Sequence, residues 1–223
     1  MIKILFLVNF LLLILYILNA LLGEPYSWLT QFIDLNDESN LPTWYSSVQL
    51  FLAALLTGSY VWSLPKETAG KAILYWSWPL ILLFLSLDEV AMIHETLGDL
   101  SDALIPGGSR FTTPFSITGI WMFIIGVPFV LVMLVLGLFI HRFQHWPRKI
   151  QVLFLSGMGI FLGSAIGIET LSNWLRFGAE YYLEVCLEEI GEMTGETLLV
   201  WAGLELVRRQ GLRLSFRSEA QPD

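Results

Sequence analysis

Cysteine, histidine and basic charge are all scarce in this 223-residue chain, and each shortage closes off a kind of chemistry. The single cysteine, Cys186, rules out an internal disulfide and any CxxC redox or zinc pair. Zinc sites draw on His and Cys, and only three histidines are present: His94, His141 and His145. A ferritin-type di-iron bundle needs Glu-x-x-His pairs, but the residue three before His94 is Ala91. The 12 Lys and Arg face 20 Asp and Glu, for a net charge of −8, and the basic residues are not gathered in a patch. That pattern excludes a nucleic-acid partner.

Apolar length is what the chain has in excess. It is 55% hydrophobic with mean hydropathy +0.65, and six apolar segments are long enough to cross a hydrocarbon layer of about 30 Å. The expected helices are 3–22, 44–64, 72–104, 114–140, 150–177 and 182–207, with Asn40 and Pro42 starting the second and Pro128 kinking the fourth. The run from Ile4 to Leu22 exceeds a signal-peptide core and no small-x-small site follows it, so it reads as a retained first helix. The fold class is therefore an all-α polytopic membrane helix bundle. Residues 1–210 form one transmembrane domain, and 211–223 form a polar, disordered cytoplasmic tail.

Numbering the gaps alternately inside and outside sorts the charges. Ten of the 12 basic residues fall on one side, leaving only Arg110 and Arg176 on the other. Basic loops stay in the cytoplasm, so both termini are expected there. Sixteen of the 20 acidic residues fall on the Arg-poor side or in the adjoining half of the membrane. No topology rule demands that, so a functional site is the expected cause.

Three helices carry these acids. On an unbroken third helix, Asp88, Glu95, Asp99 and Asp102 lie within about 60° of one another, with Glu89 and His94 on opposite flanks. On the sixth, Glu184, Glu188, Glu192 and Glu196 recur every four residues, with Glu189 beside them. On the fifth, Glu169, Asn173 and Arg176 share a face. Counting about 1.5 Å per residue from the basic edges puts Asp88, Glu192 and Glu196 inside the hydrocarbon. Glu95, Glu169 and Glu188 fall near the outer boundary.

Intramembrane acids are expensive and mark ion, proton or substrate sites. Clustered carboxylates need a counter-charge: Arg176, a divalent cation, or protons. The oxygen-rich, histidine-poor set suits Mg²⁺, Ca²⁺ or Mn²⁺ better than Zn²⁺, with Asp88, Glu95, Glu188 and Glu192 as ligands. No haem or nucleotide is expected. His94 is the acid–base candidate, and in a metal-free variant Glu196 or Asp88 donates a proton. Arg176, Glu169 and Asn173 would meet substrate, Arg176 through an anionic head group or by orienting Glu169. Asp34-Leu35-Asn36-Asp37-Glu38 faintly resembles a calcium loop, but Ser39 stands where glycine is required. Glu180, Glu184, Asp99 and Asp102 read as solvated helix ends, and His141 and His145 as cytoplasmic surface. Gly159, Gly163 and Gly167 form a small-xxx-small ladder suited to helix packing.

Three stretches carry a resemblance. They are Leu85-Ser86-Leu87-Asp88-Glu89-Val90-Ala91-Met92-Ile93-His94-Glu95, Asn40-Leu41-Pro42-Thr43-Trp44-Tyr45-Ser46-Ser47 and Leu187-Glu188-Glu189-Ile190-Gly191-Glu192-Met193. Together they resemble an uncharacterised family of small polytopic bacterial inner-membrane proteins, over helices 2 to 6. The resemblance implies a multi-pass protein of the bacterial inner membrane and brings no activity with it. Rhomboid-like, ceramidase-like and prenyltransferase motifs are absent.

The leading functional reading is a membrane-embedded, metal-dependent hydrolase or lipid-modifying enzyme. Its acidic site opens to the periplasmic side, and its partner is a membrane lipid, isoprenoid or other hydrophobic small molecule. A proton- or cation-coupled transporter component is the alternative, as is a membrane assembly or scaffold subunit. The cytoplasmic halves lack matching acids, which favours a site over a conduit.

Overall fold

The computed structural model describes residues 1–64, 72–105, 107–139, 142, 146–175 and 178–211, all helix and connecting loop with no strand among the described residues. The helices are α1 (Ile2–Leu21), α2 (Ser27–Ile33), α3 (Leu41–Trp62), α4 (Ala72–Ala91), α5 (Ile93–Asp102), α6 (Val127–Phe139), α7 (Arg148–Leu162), α8 (Glu169–Leu171) and α9 (Ala179–Arg209). Wide π-helical turns, Met122–Gly126 and Gly163–Ile168, lead into α6 and join α7 to α8.

Four segments are long and apolar enough to cross a membrane: Ile2–Leu21, Ile73–Ala91, Met122–Phe139 and Arg148–Leu171. The 22-residue α3 and the 31-residue α9 are not among them. Their position explains why. α3 packs between α4 and α9, and α9 also packs against α1 and α7. The packed faces of these helices meet protein rather than lipid, so their polar groups find partners, while Trp44, Phe51, Leu55 and Trp62 of α3 stay exposed. On α3, Ser46, Ser47, Gln49 and Thr57 are all buried.

One apolar cluster, Leu12, Tyr16, Leu35, Val185 and Met193, packs beside the acid-bearing stretch of α9; the larger one fills the other end of the bundle. Leu50, Ala53, Trp78, Leu82, Phe154, Leu199 and Leu206 pack there, with the Trp78 and Phe154 rings edge to face at 4.7 Å. α7 and α9 cross where two glycines meet: a Cβ on Gly195 would lie 2.6 Å from the Gly157 carbonyl oxygen. Gly159, Gly163 and Gly167 face open space instead. The helix-packing glycines are therefore a different set from the ladder legible in the sequence.

Asn40 caps α3 as expected, its Oδ1 accepting the Thr43 N–H at 3.2 Å. Other boundaries move. The third predicted helix is two helices, broken at Met92, which sits in the left-handed region at φ 54°. The fourth begins at Met122 rather than Pro114, because Asn173 Oδ1 takes the Ile117 and Thr118 backbone N–H groups and holds that stretch out of helix. A π turn precedes Pro128, which stands at the second position of α6. The fifth predicted helix ends at Leu171, and the sixth starts three residues early, at Ala179. Arg176, His141, His145 and the tail beyond Gly211 lie outside the described residues.

Candidate functional site

The break at Met92 builds the centre of the site. A non-glycine residue in the left-handed region costs about 1–2 kcal/mol, and the turn following it recovers hydrogen bonds. Asp88, in the last turn of α4, reaches across the break. Its Oδ1 accepts the His94 backbone N–H at 2.8 Å, and its Oδ2 meets the His94 ring Nδ1 at 3.0 Å. One carboxylate thus caps the start of α5 and fixes the imidazole, leaving Nε2 as the ring nitrogen not engaged with Asp88. Trp121, buried beside Gly98, packs its ring against His94 with centroids 5.7 Å apart. Burial works against a charged His94, yet the Asp88 hydrogen bond and charge, with Glu169 and Glu38 nearby, push its pKa up to about 9.

Glu38 arrives from the loop between α2 and α3. Asn40 Nδ2 ties that loop by donating to the Asp34 and Asp37 carbonyls at 2.6 and 2.7 Å, and Ser39 turns it with φ 62°. Ligand atoms of Glu38, His94 and Glu95 all lie within 4.8 Å of one another. Glu38 Oε2 is buried and has no hydrogen-bond partner. Burial, followed by the charge of Glu95, raises the Glu38 carboxyl. Two carboxylates and an imidazole held from behind by a third carboxylate form a donor set that fits a divalent cation. A metal-bound histidine almost always gives its other ring N–H to such a partner.

These residues open onto a cavity of about 640 Å³. Its acidic lining comprises Glu38, Asp88, Glu89, Glu95, Asp99, Glu169, Glu184, Glu188, Glu189 and Glu192, against the basic His94 and Arg110. Phe84, Leu85, Ile125, Phe129, Phe161 and Leu162 supply apolar wall. Both π turns contribute, through Ile125 and Gly126 on one and Ala165 and Ile166 on the other. Arg110 is already occupied: Nε donates to Asp102 at 2.7 Å, Nη2 to Asp99 at 2.6 Å and Nη1 to the Ile117 carbonyl at 3.1 Å.

Of the residues singled out by sequence, Asp88, His94, Glu95, Glu169, Glu188 and Glu192 all line this one cavity. Asn173 is buried and spends its side chain on the 117–118 backbone and the Thr118 hydroxyl. Glu196 is fully buried outside the cavity lining, where its oxygens accept from Ser46 Oγ and, at 3.2 Å, from Gln49 Nε2. Asn9 and Thr197 continue that network, Asn9 Nδ2 donating to the Met193 carbonyl at 3.0 Å and to Thr197 Oγ1 at 3.2 Å.

Sequence reasoning passed over Glu38, which the fold brings to His94 and Glu95, and placed Glu89 and Glu189 beside the acidic faces. Both line the cavity. The available signal for Glu38 was the run of acids before Asn40, read only as a weak calcium loop. In the structure Asp34 Oδ1 instead accepts the Asn36 N–H at 3.0 Å in a local turn.

Residues 4–207 match a family model described as a domain of unknown function, DUF8692. No curated protein and no solved structure matches the chain.

Proposed function

We propose, for a chain that belongs to the DUF8692 family of unknown function, a membrane-embedded site that binds a divalent cation and acts on an amphiphilic small molecule. The observation that carries this reading is the Glu38–His94–Glu95 cluster with Asp88 behind the histidine. Three protein ligands leave further coordination positions for water or substrate, the arrangement found in catalytic rather than closed structural sites. A cation there supplies Lewis acidity and a more acidic bound water. Glu38, His94 and Glu95 hold it, and Asp88 is a positioning residue that selects the histidine tautomer. Mg²⁺, Ca²⁺ or Mn²⁺ suit a set with two carboxylates and one imidazole.

The cavity supports the substrate class. About 640 Å³ lies within the usual range for small-molecule sites. Its lining combines ten carboxyl side chains with phenylalanine, leucine and isoleucine, so it suits a molecule with a polar head and an apolar body. Hydrolysis or another modification of a lipid is the reaction class this favours. The Asn9–Gln49–Glu196–Thr197 network extends polarity beyond the cavity and supports a cation-coupled transporter component as the second reading.

We further infer six spans, with α3 and α9 completing the four apolar segments, and both termini in the cytoplasm of a bacterial inner membrane. The ten-to-two split of basic residues supports this topology. A C-terminal reporter active only outside the cytoplasm would overturn it. For the site, the test is metal content of the protein purified in mild detergent and equilibrated with Mn²⁺. Wild type should retain Mn²⁺ that His94→Ala loses at the cluster. Equal retention by the two proteins would remove His94 from the site.

A further inference from the structure

One cation at Glu38, His94 and Glu95 leaves much of the cavity's negative charge unanswered. Asp99 has Arg110 and Asp88 has His94. Glu89, Glu169, Glu184, Glu188, Glu189 and Glu192 still face the cavity, and among the described residues no lysine or arginine pairs with any of them. Four of these acids sit on α9. Glu184, Glu188 and Glu192 stand one turn apart, a spacing at which like charges destabilise a helix.

Glu184 singles out a place within this field. It is only 3% exposed, it lines the cavity, and its Oε1 is buried with no hydrogen-bond partner. Its carboxyl is in hydrogen-bonding contact with that of Glu188. A buried acceptor left without a donor destabilises the fold, and apart from the Glu188 contact no hydrogen bond reaches this carboxyl's Oε1. Glu169, on the short α8, faces both groups across the cavity. His94 and Glu95 also act on its charge, and it lines the same cavity as both clusters.

We infer a second cation site, held by Glu184 and Glu188 and faced by Glu169. It adds to the reading above and uses none of the Glu38, His94 or Glu95 ligands. Hard divalent ions such as Mg²⁺ keep several waters and need only one or two carboxylates. The oxygen-only donor set matches that class, whereas the first cluster includes nitrogen. With both ions in place, the cavity presents two positive centres to the head group of its substrate.

The experiment counts Mn²⁺ bound to the full-length protein in nanodiscs, by electron paramagnetic resonance titration. Wild type should bind two ions. His94→Ala should keep one, and the Glu184→Gln, Glu188→Gln double variant should also keep one, with the second dissociation constant raised at least tenfold. A wild type that binds a single ion, still held by the double variant, overturns the second site and leaves the first intact. Loss in the double variant with no loss in His94→Ala overturns the first and keeps the second. Folding is read separately. Replacing two crowded carboxyls by neutral isosteres removes repulsion, so the metal-free double variant should melt no lower than metal-free wild type. A lower melt would make the Glu184–Glu188 contact a structural pair and overturn the site.

Discussion

Asp88 holds His94 twice, at the backbone N–H and at the ring Nδ1. The two bonds have separable consequences. In Asp88→Asn the amide oxygen can still accept the backbone N–H, so the cap survives while the ion pair with His94 is lost. The amide N–H₂ then faces Nδ1 and favours the tautomer with hydrogen on Nε2, which removes the lone pair a cation needs. Mn²⁺ affinity at the first site should fall about 10–100-fold, and the melting-temperature loss of the metal-free variant should shrink as pH rises toward about 9, where the wild type loses the ion pair as well. If affinity were unchanged and the melting-temperature loss did not vary with pH, Asp88 would be a structural cap and nothing more.

The same pair sets a pH dependence. The folded value for His94, about 9, lies above the unfolded value of about 6.5. The ion pair therefore contributes its full stabilisation below about pH 6.5 and loses it as pH rises through about 9. A cation competes with that proton, so binding should strengthen in the opposite sense, by roughly tenfold per pH unit between about 6.5 and 9. Titrations of Mn²⁺ at three pH values, in wild type and in His94→Gln, would measure it. The slope should flatten in the variant. Parallel slopes would place the titrating group elsewhere.

Several elements were legible because one physical rule governed them. Asn40 before Pro42 marked the start of α3, and the charge bias marked the acidic end of the bundle. The acids on α9 kept their predicted stripe because that helix runs unbroken from Ala179 to Arg209. The third helix failed at one residue. Methionine gives no local signal for a left-handed turn, and a periodicity drawn through Met92 sent His94 away from the Asp88 it touches. Glu38 was illegible for another reason: a loop residue has no period, and only the fold around Asn40 brings it to His94. Hydropathy missed α3 and α9 because it averages over a whole helix: α3 shows Trp44, Phe51 and Leu55 outward while Ser46, Ser47 and Gln49 on its packed face are buried, and the middle of α9 is enclosed.

Glycine positions offer a direct contrast. Gly195→Ala would drive a Cβ to 2.6 Å from the Gly157 oxygen and 2.7 Å from the Phe161 nitrogen, both backbone atoms that cannot step aside. Overpacking of that kind costs about 1–3 kcal/mol. Gly159→Ala and Gly163→Ala meet nothing within 4 Å, so both should leave stability unchanged or raise it slightly through helix propensity. Melting of the three variants in one detergent checks the ranking. A severe loss at Gly159 with none at Gly195 would reassign the α7–α9 crossing.

Arg110 fixes the segment between α5 and the π turn at Met122. Its guanidinium spans Asp99, Asp102 and the Ile117 carbonyl at once, and a planar fork does this where a single ammonium does not. Arg110→Ala should release residues 115–120 from α5 while Asn173 still holds 117–118 from the other side. Hydrogen exchange in that stretch should rise at least tenfold, and Arg110→Lys should restore little of the protection. Asp99, on the cavity wall, and Asp102 would also lose their counter-charge, so the variant should bind Mn²⁺ no more weakly than wild type. Unchanged exchange in Arg110→Ala would mean that Asn173 alone holds the segment, and that the Arg110 bridge neutralises Asp99 and Asp102 without shaping the cavity.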